Sequence, residues 1–184
     1  MSAMTKNRPW TADELDRLPK GWRYEIDEGE LVILAPAGHR HARVVARITS
    51  LLETFAAEHQ GGEVDSGEVG VYLQVKPETL RGADVAYFSP ERAQQIAEVI
   101  GFVHVPPDLA VEVHDPSEPD MERKVHQYLT AGVRSVWVAD PETRTLVIHR
   151  MAEPPLVRSY PDALVEDPVL PGFSVRLREL FGRD

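Results

Sequence analysis

Two acidic residues stand inside stretches that otherwise read as apolar strands. In Arg81-Gly82-Ala83-Asp84-Val85-Ala86-Tyr87-Phe88 an aspartate opens the apolar run, and in Asp108-Leu109-Ala110-Val111-Glu112-Val113-His114 a glutamate interrupts one. Strand alternation sends Leu109, Val111 and Val113 to one face and Ala110, Glu112 and His114 to the other, while Asp84 shares a face with Ala86 and Phe88. A carboxylate in such a place loses its hydration, which is costly unless a cation, a basic partner or hydrogen bonds compensate. Two carboxylates on neighbouring strands repel each other, and a divalent cation between them turns the repulsion into binding, as in oxygen-ligand Mg²⁺ sites. The competing reading has Asp84 capping its strand after a glycine turn and Glu112 paired with an arginine. Spacing alone does not separate the two.

Composition narrows the chemistry. The 184 residues include no cysteine, which excludes disulfides, thiolate zinc sites and cysteine nucleophiles and favours hard cations such as Mg²⁺ or Mn²⁺. A formal charge of −10 repels a polyanion at long range, so tight non-specific binding of nucleic acid by a monomer requires local clustering of basic residues. The densest such group is Arg40, Arg43 and Arg47; it reads as a solvated helix face opposite Val44 and Ile48, with a phosphate-contacting stripe as the alternative. His39 and His41 have His-x-His spacing but no third ligand nearby. Trp22 and Trp137 fall in apolar strands and read as core or interface aromatics rather than base-stacking platforms. No apolar run approaches the about 20 residues that span a bilayer, and the N-terminus carries no apolar signal region, so a cytoplasmic protein without membrane contact is expected.

The elements that must position these residues follow from pattern. With 42% hydrophobic residues, the chain is expected to form a single domain over 1–184, with 1–10 as a flexible extension. Thr11 to Glu14 has the form of a capping box and opens a short helix that Pro19 ends. Trp22 to Ile26 and Glu30 to Leu34 form a hairpin around Asp27-Glu28-Gly29. Val44, Ile48, Leu51, Leu52 and Phe55 mark an amphipathic helix from His41 to Glu58. Strands are expected at Val69 to Val75, Asp84 to Phe88, Leu109 to His114, Ser135 to Ala139, Thr145 to Arg150 and Leu156 to Tyr160. Helices are expected near Glu91 to Ile100, Asp120 to Ala131 and Leu177 to Phe181. Strands and helices interleave with hairpins, which predicts an α/β fold with a mixed sheet flanked by helices.

A resemblance sharpens this reading. Arg23-Tyr24-Glu25, Gly29-Glu30-Leu31-Val32, Pro36, His41, Asp84-Val85, Val111-Glu112-Val113, Pro116-Ser117, Asp120, Lys124, Tyr128, Ala131-Gly132-Val133, Trp137-Val138-Ala139-Asp140-Pro141 and Leu170-Pro171-Gly172-Phe173 occur in this order over roughly residues 11 to 181. In these signals the chain resembles the bacterial "putative restriction endonuclease" family of unknown function, a branch of the PD-(D/E)XK nuclease superfamily. The resemblance implies a restriction-endonuclease-like sheet and a metal site on Asp84 and Glu112. Two departures stand out: Ala83 replaces the proline before the first aspartate, and His114 occupies the position of the superfamily's strand lysine. The resemblance implies that a helix lysine, Lys124, takes over that role, with an i, i+4 pair between Asp120 and Lys124 as the plain alternative. It also implies that Glu25 and His41 flank the site, the glutamate as a further ligand for metal or water and the histidine as a phosphate contact or proton carrier. An exposed hairpin carboxylate and a polar residue at a helix start are the plain alternatives.

The function expected from the resemblance is Mg²⁺-dependent hydrolysis of DNA phosphodiester bonds, with Mn²⁺ as a substitute cation and a homodimer as the working unit. A binding or assembly module that keeps the nuclease fold without turnover is the alternative from a different class. A metal-dependent hydrolase of small phosphoesters is a third.

Overall fold

The computed structural model describes residues 8–59, 61–116 and 120–182. Residues 1–7 of the expected flexible extension, and Ser117 of the Pro116-Ser117 signal, lie outside them. The remainder of that extension is held in place: the Trp10 N–H donates to the Gly29 carbonyl at 2.8 Å, and Pro9 lies so close to Gly29 that a Cβ there would meet it at 2.6 Å. The predicted first helix is a 3₁₀ segment, Ala12–Arg17, and Glu14 reaches back to accept from the Thr11 N–H at 3.2 Å. Strands β1 (Arg23–Asp27) and β2 (Glu30–Leu34) form the expected hairpin. Its two turn residues, Glu28 and Gly29, have φ of 48° and 84°, the positive values that a two-residue turn with the right twist needs.

Helix α1 (His39–Glu58) buries Val44, Ile48, Leu52 and Phe55 as the periodicity predicts. Strands β3 (Glu63–Val75) and β4 (Glu78–Phe88) form a long hairpin, followed by α2 (Pro90–Ile96), β5 (Leu109–Val113), α3 (Met121–Thr130), β6 (Ser135–Asp140), β7 (Thr145–His149) and β8 (Leu156–Ser159). A short pair, β9 (Leu164–Val165) with β10 (Val175–Arg176), precedes α4 (Leu177–Phe181). The large sheet runs β2-β1-β4-β5-β6-β7-β8, with β3 also on β4; β5 and β6 pair parallel and the other pairs are antiparallel. The mixed α/β architecture is therefore as expected.

Alternation along β5 divides the interior. Leu109, Val111 and Val113 pack with Val44, Ile48 and Phe55 of α1 and with Trp137, whereas Ala110 joins Val125 and Tyr128 of α3 and Val136. Helices α1 and α3 thus cover opposite faces. The site lies where the sheet forks. Strand β3 runs along one edge of β4, while the other edge pairs with β1 only at Leu80 and with β5 only from Val85 to Tyr87. The residues between, Arg81 to Asp84, face a gap in the ladder on that side. On the β3 side the register shifts between Ser66 and Val69, so that Gly67 and Glu68 together oppose Asp84. This is a β-bulge, with Gly67 and Glu68 at φ of 92° and 69°.

Candidate active site

The gap leaves backbone groups that no strand can satisfy, and charged side chains take them. Gly82 N–H donates to Glu25 Oε1 at 2.9 Å, and Gly82 carbonyl accepts from Lys124 Nζ at 3.1 Å. Asp84 Oδ2 accepts from the Val113 N–H at 2.7 Å, and His41 Nε2 stands 3.1 Å from the same oxygen. Lys124 Nζ also lies 2.8 Å from Glu112 Oε2 and 3.0 Å from Glu25 Oε1. Residues from both faces of the sheet meet here, His41 from the first turn of α1 and Lys124 from the first turns of α3. The Asp120 side chain caps α3 by accepting from the Arg123 N–H at 3.1 Å, which places Lys124 on the buried side with Val125 and Tyr128.

Of the six residues singled out by sequence, five converge: Glu25, His41, Asp84, Glu112 and Lys124. All five are buried, Glu112 to 1% exposure and Asp84 to 5%, so the site is a largely enclosed network. The sixth, His114, falls outside it. Strand β5 ends at Val113; the His114 N–H donates to Ala139 at 2.7 Å, and its ring acts electrostatically on Asp140. The alternation that aimed His114 at the metal face holds only while the chain stays in the strand.

Sequence reasoning missed two partners. Arg81 binds Glu25 Oε2 at 2.9 Å and Asp27 Oδ2 at 2.8 Å, tying the hairpin to β4. Glu68, carried in by the bulge, approaches Asp84 and is ion-paired to Arg23 at 2.6 Å. A Cβ on Gly82 would come 3.0 Å from Glu68 Oε2 and 3.6 Å from Glu25 Oε1, so the absence of a side chain there lets the acidic groups close in.

The electrostatics follow from crowding four carboxyl groups around one ammonium. Burial pushes the Glu25 pKa up, but Lys124, Arg81 and the Gly82 N–H outweigh it and hold Glu25 below the usual range. Burial likewise opposes ionisation of Asp84, and the His41 ring, the Val113 N–H and Lys124 bring it below the usual value. For Glu112 the balance reverses: burial, reinforced by Asp84 and Glu25, raises its pKa well above that of an ordinary glutamate despite Lys124. Glu68 is raised to about 7 by burial and by Asp84, against Arg23 and Lys124.

Among the described residues no group of three or more His, Asp or Glu side chains is arranged so that it could hold a metal ion. Lys124 fills the space between Glu25 and Glu112. The donors nevertheless fit a hard divalent cation. They are carboxylate oxygens with one imidazole, Glu112 Oε1 makes no close hydrogen bond, and burial together with the neighbouring acids holds Glu68 and Glu112 towards their neutral forms. Asp84 and Glu112 are the residues that would hold such an ion.

A family model described as "Uma2: Putative restriction endonuclease" matches residues 12–178. The chain belongs to the Uma2 family. No curated protein matches it. A solved structure with the same fold is described as a putative nuclease from Anabaena variabilis; it superposes with a TM-score of 0.81 over 94% of this chain and 98% of that one, at 20% identity. This likeness establishes the nuclease-like fold. All five converging residues of this Uma2 chain lie within the matched segment.

Other expectations divide. Trp137 is fully buried, as predicted, and its Nε1 donates to Asp167 Oδ2 at 2.8 Å. Trp22 precedes β1 and is 49% exposed, so of the core and interface roles expected for it as a strand aromatic, the strand placement and the core role do not hold. Arg47 donates to the Phe181 carbonyl, and Arg40 and Arg43 line a concavity of about 200 Å³ with Arg144.

Proposed function

We propose that the chain is a divalent-cation-dependent nuclease that hydrolyses DNA phosphodiester bonds at a PD-(D/E)XK-type site. One observation carries this reading. Lys124 delivers a buried ammonium to Glu112 at 2.8 Å, beside Asp84 on the neighbouring strand, while Glu112 Oε1 makes no close hydrogen bond. A helix lysine standing in for the missing strand lysine is the arrangement this chemistry requires. The Uma2 description and that of the Anabaena protein support the same assignment.

An Mg²⁺ or Mn²⁺ ion held by Asp84 and Glu112 would neutralise phosphate charge and make a water more acidic. Lys124, fixed by Glu25, Glu112 and the Gly82 carbonyl, would offer positive charge where the phosphate's non-bridging oxygens gain charge. His41 sits against Asp84 and can hold a phosphate oxygen or hand a proton to the leaving oxygen. Glu25 positions Lys124, and Arg81 keeps Glu25 ionised. A homodimer belongs to this reading, since two copies related by symmetry can cut both strands of a duplex.

The reading without turnover rests on a specific feature as well: the ion pairs of Lys124 and Arg81 hold the network together without a metal. The deciding experiment incubates supercoiled plasmid and single-stranded DNA with the protein in Mg²⁺ or Mn²⁺, with EDTA and Glu112→Gln as controls. Cation-dependent cleavage lost in both controls is expected. Intact DNA under all conditions would favour the binding module, and turnover of small phosphoesters alone would favour a different hydrolase.

A further inference from the structure

Trp22 and Phe102 are 49% and 38% exposed, and both line a cavity of about 340 Å³ that adjoins the carboxylate site. Glu25, Glu68, Arg81 and Gly82 line it as well, so the cavity ends against the outer edge of the site, one layer short of Asp84, Glu112 and Lys124. The aromatic wall is built rather than accidental. Phe102 lies on Gly70, where any Cβ would come 2.3 Å from its ring, and the ring meets Tyr72 edge-on with centroids 6.1 Å apart. The Val103 N–H donates to Gly70 carbonyl and the Tyr72 N–H to Val103 carbonyl, each at 2.9 Å, so the segment that carries Phe102 is bonded to β3. Lys20 and Arg23 supply positive charge to the same cavity.

Exposed aromatic faces beside cations, opening onto a phosphodiester-cleaving site, suit a flat π-faced group joined to a phosphate. A base within a duplex has both faces covered by its neighbours, whereas an unpaired base can stack on a protein ring. Stacking also offsets a difficulty in the charge: a chain of net charge −10 gains little from long-range attraction to a polyanion and needs a contact that does not depend on it. We propose that this cavity binds an unpaired nucleobase of single-stranded DNA, stacked on Trp22 and Phe102, next to the phosphate that enters the carboxylate site. The proposal rests on the nuclease reading for the identity of the polymer, and it makes single-stranded or locally opened DNA the preferred substrate.

The test measures binding of the full chain in EDTA to a short oligothymidylate, an abasic strand of equal length and a duplex. The oligothymidylate should bind about tenfold or more tightly than the abasic strand and quench tryptophan emission. Trp22→Ala and Phe102→Ala should each abolish that advantage, and Gly70→Ala, which displaces the Phe102 ring while keeping every aromatic, should reduce it. Melting curves would confirm that the variants fold. Equal affinity for the three ligands, unchanged affinity in Trp22→Ala, or no binding at all would overturn the proposal. A dimer that dissociates on Trp22→Ala without change in oligonucleotide affinity would assign the cavity to a second copy and overturn it too. The two readings fail separately: base-dependent binding without cleavage in Mn²⁺ would sink the nuclease assignment alone, and cleavage with an unchanged KM in Trp22→Ala would sink the cavity assignment alone.

Discussion

Asp167 and Glu112 are both buried carboxyl groups, with 4% and 1% exposure, yet their surroundings answer different demands. Asp167 has a donor for each oxygen: Ser135 Oγ at 2.6 Å and Trp137 Nε1 at 2.8 Å on Oδ2, and the Val169 N–H at 3.1 Å on Oδ1, with Arg150 at 3.3 Å. It ties the loop after β9 to β6 and asks for nothing more. Glu112 has Lys124 on Oε2, no close hydrogen bond on Oε1, the buried Tyr128 hydroxyl as a neighbour, and Asp84 and Glu25 adding negative field. A buried acid with a complete donor set is structural. One left short of positive charge among other acids would gain from a cation, which is the basis of the proposed metal site.

The largest effects should come from emptying each cluster. Asp167→Ala strands Ser135 and Trp137, and Lys124→Ala removes the ammonium that Glu25, Glu112 and the Gly82 carbonyl share; each should lower unfolding stability by about 3 kcal/mol in denaturant titrations. Lys124 is too deeply paired for its removal to spare the fold, as it would if it were exposed. The comparison breaks if Mn²⁺ restores both variants or neither, since a cation that binds the folded state should rescue Lys124→Ala alone.

Glu112→Gln should separate function from stability. It should reduce cation-dependent cleavage by about a hundredfold or more, while stability changes by less than about 1 kcal/mol, because burial already favours the neutral form of this side chain. A variant that cleaves normally would place the chemistry elsewhere.

A subtler contrast lies in pH. Glu68 has its folded pKa raised to about 7 from 4.5. Between these values the folded chain holds a proton that the unfolded chain has lost, so the group's contribution to stability falls as pH rises through that window. Melting temperatures from pH 4.5 to 7 should show this slope, and Glu68→Gln should flatten it. An identical slope in the variant would mean that other groups set it. The smallest effect should be that of His114→Ala, which lies beyond β5 and should leave both the cleavage rate and its pH profile unchanged, whereas His41→Ala should reduce the rate.

What the sequence disclosed depended on whether a local pattern carried the signal. Glu112 was legible because it breaks an apolar alternation, and α1 because its stripe from Val44 to Phe55 repeats over about three turns. Lys124 came from the family resemblance, since nothing local distinguishes it from a solvated helix lysine. Glu68 was illegible: a bulge shifts the register there, and the polar stretch Glu63 to Glu68 does not read as strand until it pairs with β4. Trp22 was misplaced because it precedes the strand it seemed to begin, and Asp167 gave no sign because its donors come from β6, far away in sequence.

The account turns on a cation entering the Glu112 cluster and not the Asp167 cluster, and calorimetric titration with Mn²⁺ tests this directly. The wild-type chain and an Asp167→Asn variant should bind the ion alike, and Asp84→Asn and Glu112→Gln should each lose that binding. Undiminished binding in Asp84→Asn and Glu112→Gln, or no binding by the wild-type chain, would contradict it.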